Sequence, residues 1–200
     1  MKKLLLFAVG TIVLYLGFSF VKYYVSEAFD YHDRPWAYSR DKGTSLLVGK
    51  WGGTFTDPDG VKKSIQLEIF VPLTDADRVG KALKTGKRHQ SYSSNTAFDG
   101  VASVTSQLGK EEYEINGGVD KEDNGKFHFK FYHAENTKRV LPNFSLNEAR
   151  NGQWVADNLD FEAKFSFQNL DGSSLWKSSD PRFSKNVVVH MNRLTSVATK

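Results

Sequence analysis

The sequence predicts a mainly β protein whose strands form an antiparallel up-and-down β-barrel. Beyond Leu46, apolar and polar residues alternate with a period of two, the pattern of strands that are buried on one face. Tight turns are indicated by Asp-Pro-Asp-Gly at 57–60 and by Asn-Gly pairs at 124–125 and 151–152. The 15 Phe, 8 Tyr and 4 Trp residues also favour strands. These observations predict eight or nine strands joined mostly by short turns, and closure of such a meander into a barrel removes its exposed edges.

The first 25 residues predict a transmembrane helix. Two lysines at 2–3 precede a stretch from Leu4 to Val21 in which 18 consecutive residues carry no charge. A helix of roughly 20 apolar residues crosses a bilayer, and the lysines favour a cytoplasmic N-terminus. Residues 1–25 are therefore expected to be a single-pass signal-anchor. In a bacterium the domain would lie in the periplasm, held at the inner membrane. The alternative is a signal peptide cleaved near Ser-Glu-Ala at 26–28, after which the domain would be secreted.

Residues 26–45 are predicted to be a linker that leads to a lipocalin-like barrel domain at 46–200. The linker is polar and aperiodic and contains a proline and a glycine. Two of its aromatic residues, Trp36 and Tyr38, either dock on the domain or lie among lipid headgroups. The sequence leaves both alternatives open.

One short helix is predicted where the alternation is interrupted, between Thr74 and Gly86. Thr74 followed by Asp77 resembles a capping box, and Gly86 suits the position after a helix end. Basic residues of this helix, and two that follow it, form either a surface for anionic lipid headgroups or an ordinary solvated face. These residues are Arg78, Lys81, Lys84, Lys87 and Arg88.

The alternation also predicts which side chains fill the barrel. The inward set is Trp51, Phe55, Phe98, Tyr113, Phe127, Phe129, Phe131, Phe161, Phe165 and Phe167. One face of the second strand carries Ile65, Leu67, Ile69 and Val71. Each aromatic side chain buries about 150–250 Å², and an eight-stranded barrel has room only for side chains or one small ligand. A packed interior is therefore expected. In the alternative, a wider and flattened barrel holds an apolar ligand or lipid, lined by Phe129, Phe131, His133 and Phe165.

Two features at the ends of the predicted barrel resemble the calycin superfamily, which contains the lipocalin-like and streptavidin-like barrels. They are Gly49-Lys50-Trp51 at the start of the first strand and Arg193 near the end of the last. The resemblance covers roughly residues 46–195. It implies that Trp51 closes one barrel end and that Arg193 packs over its ring in a cation–π contact. Both residues are thus expected to be structural.

No sequence motif for catalysis, for a cofactor or for a metal is found. The chain has no cysteine, which excludes thiolate ligands and nucleophiles. No two histidines have zinc-ligand spacing, and no glycine-rich phosphate loop is present. His133 is either a pocket base or a strand-end histidine whose tip reaches water. We therefore expect no cofactor, no metal and no catalysis.

The charge distribution argues against a nucleic-acid partner. The net charge of +4 divides into +2 for residues 1–45 and +2 for the remainder. A phosphate-binding surface needs its positive charge concentrated on one face. The sequence therefore predicts a membrane-anchored, extracytoplasmic, non-catalytic binding or assembly module for a protein partner. One alternative is a lipocalin-like carrier of a small apolar ligand or lipid, and another is an enzyme that uses pocket carboxylates or His133.

Overall fold

The computed structural model describes six stretches of the chain, together with Gly17 and Val21. The stretches are residues 29–41, 43–73, 95–135, 137, 139–176 and 179–194. Apart from Gly17 and Val21, the predicted transmembrane segment lies outside the described residues. The predicted helix and its basic residues Arg78, Lys81, Lys84, Lys87 and Arg88 also lie outside them. Within the described stretches, no helix combines the length and the apolar character needed to cross a membrane.

Nine strands and one 3-10 helix are described in this part of the chain, and residues 29–33 are α-helical. The strands are β1 Gly49–Thr56, β2 Lys62–Ile69, β3 Ala97–Ser106, β4 Gly109–Val119, β5 Lys126–His133, β6 Asn143–Val155, β7 Asn158–Gln168, β8 Ser174–Leu175 and β9 Val187–Arg193. The predicted turn at Asn151-Gly152 is wrong, because this pair lies within β6 where the pairing with β7 shifts register, and the chain turns into β7 after Val155. The 3-10 helix, Pro181–Ser184, begins with a proline after Asp180, whose side chain accepts a hydrogen bond from the Arg182 backbone N–H.

Eight of these strands form a closed antiparallel barrel, which confirms the prediction of a mainly β protein with an antiparallel barrel. Along the wall the strands follow in the order β6-β5-β4-β3-β2-β1-β9-β7, and β7 pairs with β6 to complete the ring. The short β8 pairs with the last two residues of β7. Because β9 pairs with β1 on one side and with β7 on the other, it joins these two strands and completes the wall between them.

The barrel has two ends, which we name after one buried residue at each. At the Trp51 end, β1 begins and β9 finishes, so that Trp51 pairs with Arg193. At the Lys63 end, β1 turns into β2 through residues 57–61, and β6 starts at Asn143.

The described part of the predicted linker is packed against the Trp51 end. The Trp36 side chain is buried, its Nε1 donates a 3.2 Å hydrogen bond to the Asn95 carbonyl, and its ring centroid lies 5.9 Å from that of Phe98. The Tyr38 hydroxyl donates to the Pro72 carbonyl. Of the two alternatives for these side chains, docking on the domain is therefore the one observed.

The predicted inward set and the apolar face of the second strand are buried, with two exceptions. Val71 is 58% exposed because β2 ends at Ile69. Phe167 is only half-buried, although its neighbours Ser166 and Gln168 are buried. The alternation fails there because the end of β7 is covered on both faces. Gln168 forms hydrogen bonds with Ser145 and Ser174. Phe167 lies at the rim of the barrel, beneath the guanidinium of Arg182.

Candidate functional site

The barrel interior is occupied by aromatic rings that contact one another from wall to wall. The Phe129 ring centroid, from β5, lies 6.1 Å from that of Phe98 on β3 and 5.4 Å from that of Phe161 on β7. Phe131 lies 5.0 Å from Phe129, and Phe165 lies 6.0 Å from Phe55. The three phenylalanines predicted to line a ligand cavity, Phe129, Phe131 and Phe165, thus pack against other rings.

The Trp51 end contains the cation–π contact that the resemblance implied. The Arg193 guanidinium carbon lies 4.2 Å from the centroid of the buried Trp51 ring. The same guanidinium donates a 3.1 Å hydrogen bond to the Val48 carbonyl and a 2.7 Å hydrogen bond to Asp157, and it also donates to the Leu46 carbonyl. One side chain therefore ties β9 to the entry of β1 and to the β6–β7 turn.

Gly49 is required by this arrangement. Its φ is +123°, a conformation that residues with a Cβ rarely adopt. A Cβ there would lie only 2.9 Å from Arg193 Nη1. The glycine in the Gly-Lys-Trp triplet thus makes room for the arginine over the tryptophan.

A buried polar cluster occupies the Lys63 end. The Lys63 side chain is almost fully buried, and Nζ donates a 2.7 Å hydrogen bond to Asn143 Oδ1 and another to the Phe144 carbonyl. Carboxylates of Asp57 and Glu111 lie 3.3 Å and 3.8 Å from Nζ. Buried charges are costly unless they are paired and hydrogen-bonded. This ammonium meets both conditions, so Lys63 is held as a structural cation.

On β4 and β5, three buried side-chain polar atoms form no hydrogen bond of full geometry with a described residue. They are Glu111 Oε1, Tyr113 Oη and His133 Nε2. Burial raises the pKa of Glu111, and the Lys63 charge opposes that rise. Burial also raises the pKa of Tyr113, helped by the charge of Glu111.

His133 stacks on Tyr113, with ring centroids 4.8 Å apart. Burial lowers the pKa of His133, and the positive charge of Arg139 lowers it further, so the neutral imidazole is favoured. The His133 residue is half-buried, and its Nε2 is buried. Both interpretations of His133, as a pocket base and as a strand-end histidine, stay predictions.

The sequence did not lead us to predict Lys63 and Glu111 as buried polar residues, although their positions within their strands indicate it. Lys63 lies on the same, buried face of β2 as Ile65 and Leu67, and Glu111 lies on the same, buried face of β4 as Tyr113. A charged residue at a position of the strand that should face the core therefore indicates a buried polar cluster. In the part of the chain that the structure describes, no three histidine or carboxylate side chains are grouped as metal ligands.

The outer surface carries two further features. Leu170, Leu175 and Trp176 are exposed around β8 at the Lys63 end, with Leu170 77% and Trp176 70% exposed. A separate open groove of about 410 Å³ crosses the outer faces of β1 to β4. Its lining includes Lys50, Glu68, Val101, Glu112, Glu114 and Leu194.

Comparisons with known proteins identify similar barrels but no family. No family model matches the chain, and no curated protein matches it. Among solved structures, it is similar to a de novo designed fluorescence-activating β-barrel, with 12% identity over 74% of this chain and 93% of that one and a TM-score of 0.38. It is also similar to a redesigned β-barrel, with 14% identity over 74% and 92% of the two chains and a TM-score of 0.42. The class of protein defined here is the closed antiparallel β-barrel.

Proposed function

We propose that this protein is a membrane-anchored, extracytoplasmic β-barrel that binds or assembles a protein partner and performs no catalysis of its own. The observation that carries the proposal is the ring network from Phe98 through Phe129 to Phe161, which fills the width of the barrel. Where side chains occupy the interior, binding falls to the outer surface. The uncharged stretch from Leu4 to Val21 supplies the anchor in this proposal.

The calycin-like character of the barrel belongs to the same proposal. It is supported by the Arg193 guanidinium over the Trp51 ring and by Gly49 at the start of β1. In this interpretation both barrel ends serve stability, because each is closed by the contacts of one basic side chain. Neither end then needs to open for the protein to act.

The surface around Trp176 is the proposed partner-binding region. Exposed apolar patches mark interaction sites, and tryptophan is enriched at the energetic centres of interfaces. Leu170, Leu175 and Trp176 lie at the Lys63 end, opposite the end at which residues 29–47 join the barrel. In an anchored protein this surface is therefore directed away from the membrane, where a partner can reach it.

A photo-crosslinking experiment tests this surface. A photoreactive phenylalanine analogue at Trp176 in the full chain is expected to give a discrete covalent adduct with one protein in cells. The matched control is the same analogue at Tyr132, which is 53% exposed on the wall of the barrel. Equal labelling at the two positions would contradict the proposed binding surface.

Native mass spectrometry separates the proposal from the carrier alternative. The purified full chain released from detergent is expected to have the mass of the polypeptide alone. A stoichiometric apolar molecule that survives purification would replace the binding module with a small-molecule carrier. In that case Phe129 and Phe165 would have to move apart from their ring neighbours to admit it.

A further inference from the structure

An apolar patch lies at the Trp51 end, on the side where the chain enters from the N-terminal segment. Its members are Phe29, Phe70, Val71 and Leu73, which are 58%, 44%, 58% and 41% exposed. The two parts of the patch are held together by the Arg34 side chain, which bonds Asp30 and the Leu73 carbonyl, and by the Tyr38 hydroxyl on the Pro72 carbonyl. Residues 29–38 and 70–73 thus form one surface.

Chain length fixes how far this surface can stand from the uncharged N-terminal stretch. Phe29 follows Val21, the last residue of that stretch, by 8 positions. Eight residues span at most about 28 Å when fully extended and about 12 Å as a helix. If Leu4–Val21 crosses a bilayer, the patch must lie within that distance of the headgroups.

We propose that the surface formed by Phe29, Phe70, Val71 and Leu73 rests on the lipid bilayer and sets the orientation of the barrel on the membrane. The inference rests on the proposed function, because it requires the anchor. Partial insertion of these side chains removes apolar area from water at about 25 cal/mol per Å². The aromatic and basic residues beside the patch suit the headgroup region. Tyr31 packs edge-on against Tyr38 at 6.1 Å, and the Arg40 guanidinium lies 5.4 Å from the Tyr31 ring.

Burial of the ion pair between Asp30 and Arg34 is consistent with this placement. Nη1 lies 3.1 Å from Oδ1, and the two side chains are 4% and 7% exposed. Two charges that would otherwise oppose contact with an apolar phase are thus turned inward and paired. Exposed beside the pair are the apolar side chains of Phe29 and Leu73, together with the polar side chains of His32 and Asp33, which suit the headgroup layer.

The absence of cysteine allows a direct test with the full chain. An environment-sensitive fluorophore is attached to the cysteine introduced in the Val71→Cys variant. The matched control is the Leu170→Cys variant, which carries the same fluorophore at the opposite barrel end. Each protein is reconstituted in vesicles of phosphatidylcholine and phosphatidylglycerol that contain a headgroup nitroxide lipid. The Val71→Cys label is expected to be quenched at least threefold more strongly by the nitroxide than the Leu170→Cys label, and iodide in the water should show the reverse order.

The outcomes distinguish this inference from the proposed function. If the chain co-floats with vesicles but both labels respond equally to both quenchers, the membrane-resting surface is wrong and the anchor stands. If the Val71→Cys label is shielded from iodide yet unaffected by the nitroxide lipid, protein covers the patch and the inference is also overturned. If the chain does not co-float at all, the anchor fails, and this inference fails with it.

Discussion

Lys63 and Asn143, separated by 80 positions in the sequence, meet inside the barrel with 2.7 Å between Nζ and Oδ1. Their strands, β2 and β6, are not neighbours in the wall, so this hydrogen bond crosses the barrel end. At the opposite end Arg193 lies over Trp51. Each end of an aromatic-filled barrel is therefore tied by one basic side chain that links several strands.

Replacing the buried ammonium is expected to destabilise the protein strongly. Lys63→Met leaves the carboxylates of Asp57 and Glu111 buried without their cation, which should cost about 3–5 kcal/mol of unfolding free energy. Urea denaturation followed by tryptophan fluorescence measures the loss. Lys62→Met, on the exposed face of the same strand, is the matched control and should change stability by no more than about 0.5 kcal/mol. The buried cation has no such role if the two variants behave alike.

The strands and their inward rings were predictable because alternation is a local property. Phe127, Phe129 and Phe131 repeat within one strand, and their burial follows from that spacing alone. The partners of Lys63 could not be predicted in the same way. They come from β4, from the start of β6 and from a turn, and only the closed topology brings those segments together. Trp36 was ambiguous for a related reason, since its docking depends on Phe98 and Asn95, far along the chain.

Removal of the arginine at the Trp51 end should also lower stability. Arg193→Ala loses the cation–π contact and the hydrogen bonds to the Val48 carbonyl and Asp157, for an expected cost of about 2–4 kcal/mol. Arg193→Lys keeps the charge but not the planar fork and should fall between the wild type and the alanine variant. The measurement is the urea midpoint at constant m-value. An unchanged midpoint for Arg193→Ala would show that the contact contributes nothing.

The filled interior predicts a large cavity penalty at the central ring. Phe129→Ala removes a side chain that packs against Phe98, Phe131 and Phe161, and it should cost about 3–5 kcal/mol. Tyr132→Ala, an exposed aromatic on the same strand, should change stability by less than about 1 kcal/mol. If the vacated space remains dry and apolar, benzene should raise the melting temperature of Phe129→Ala and leave the wild type unchanged. A small loss for Phe129→Ala would indicate that the interior is loosely packed.

His133 should make the folded state sensitive to acid. Burial and the charge of Arg139 hold the pKa of its imidazole below the ordinary value of 6.5, so the folded protein keeps the neutral form. As the pH falls below about 6.5, the unfolded chain binds a proton before the folded chain does, and the free energy of unfolding decreases until the folded pKa is passed. His133→Gln removes the titrating imidazole, so the decrease in the free energy of unfolding should be smaller in that pH window. Urea denaturation at a series of pH values measures it. His128→Gln, on the exposed face of the same strand, is the matched control for the substitution itself. Parallel slopes for the wild type and His133→Gln would show that the imidazole is not held neutral in the folded barrel.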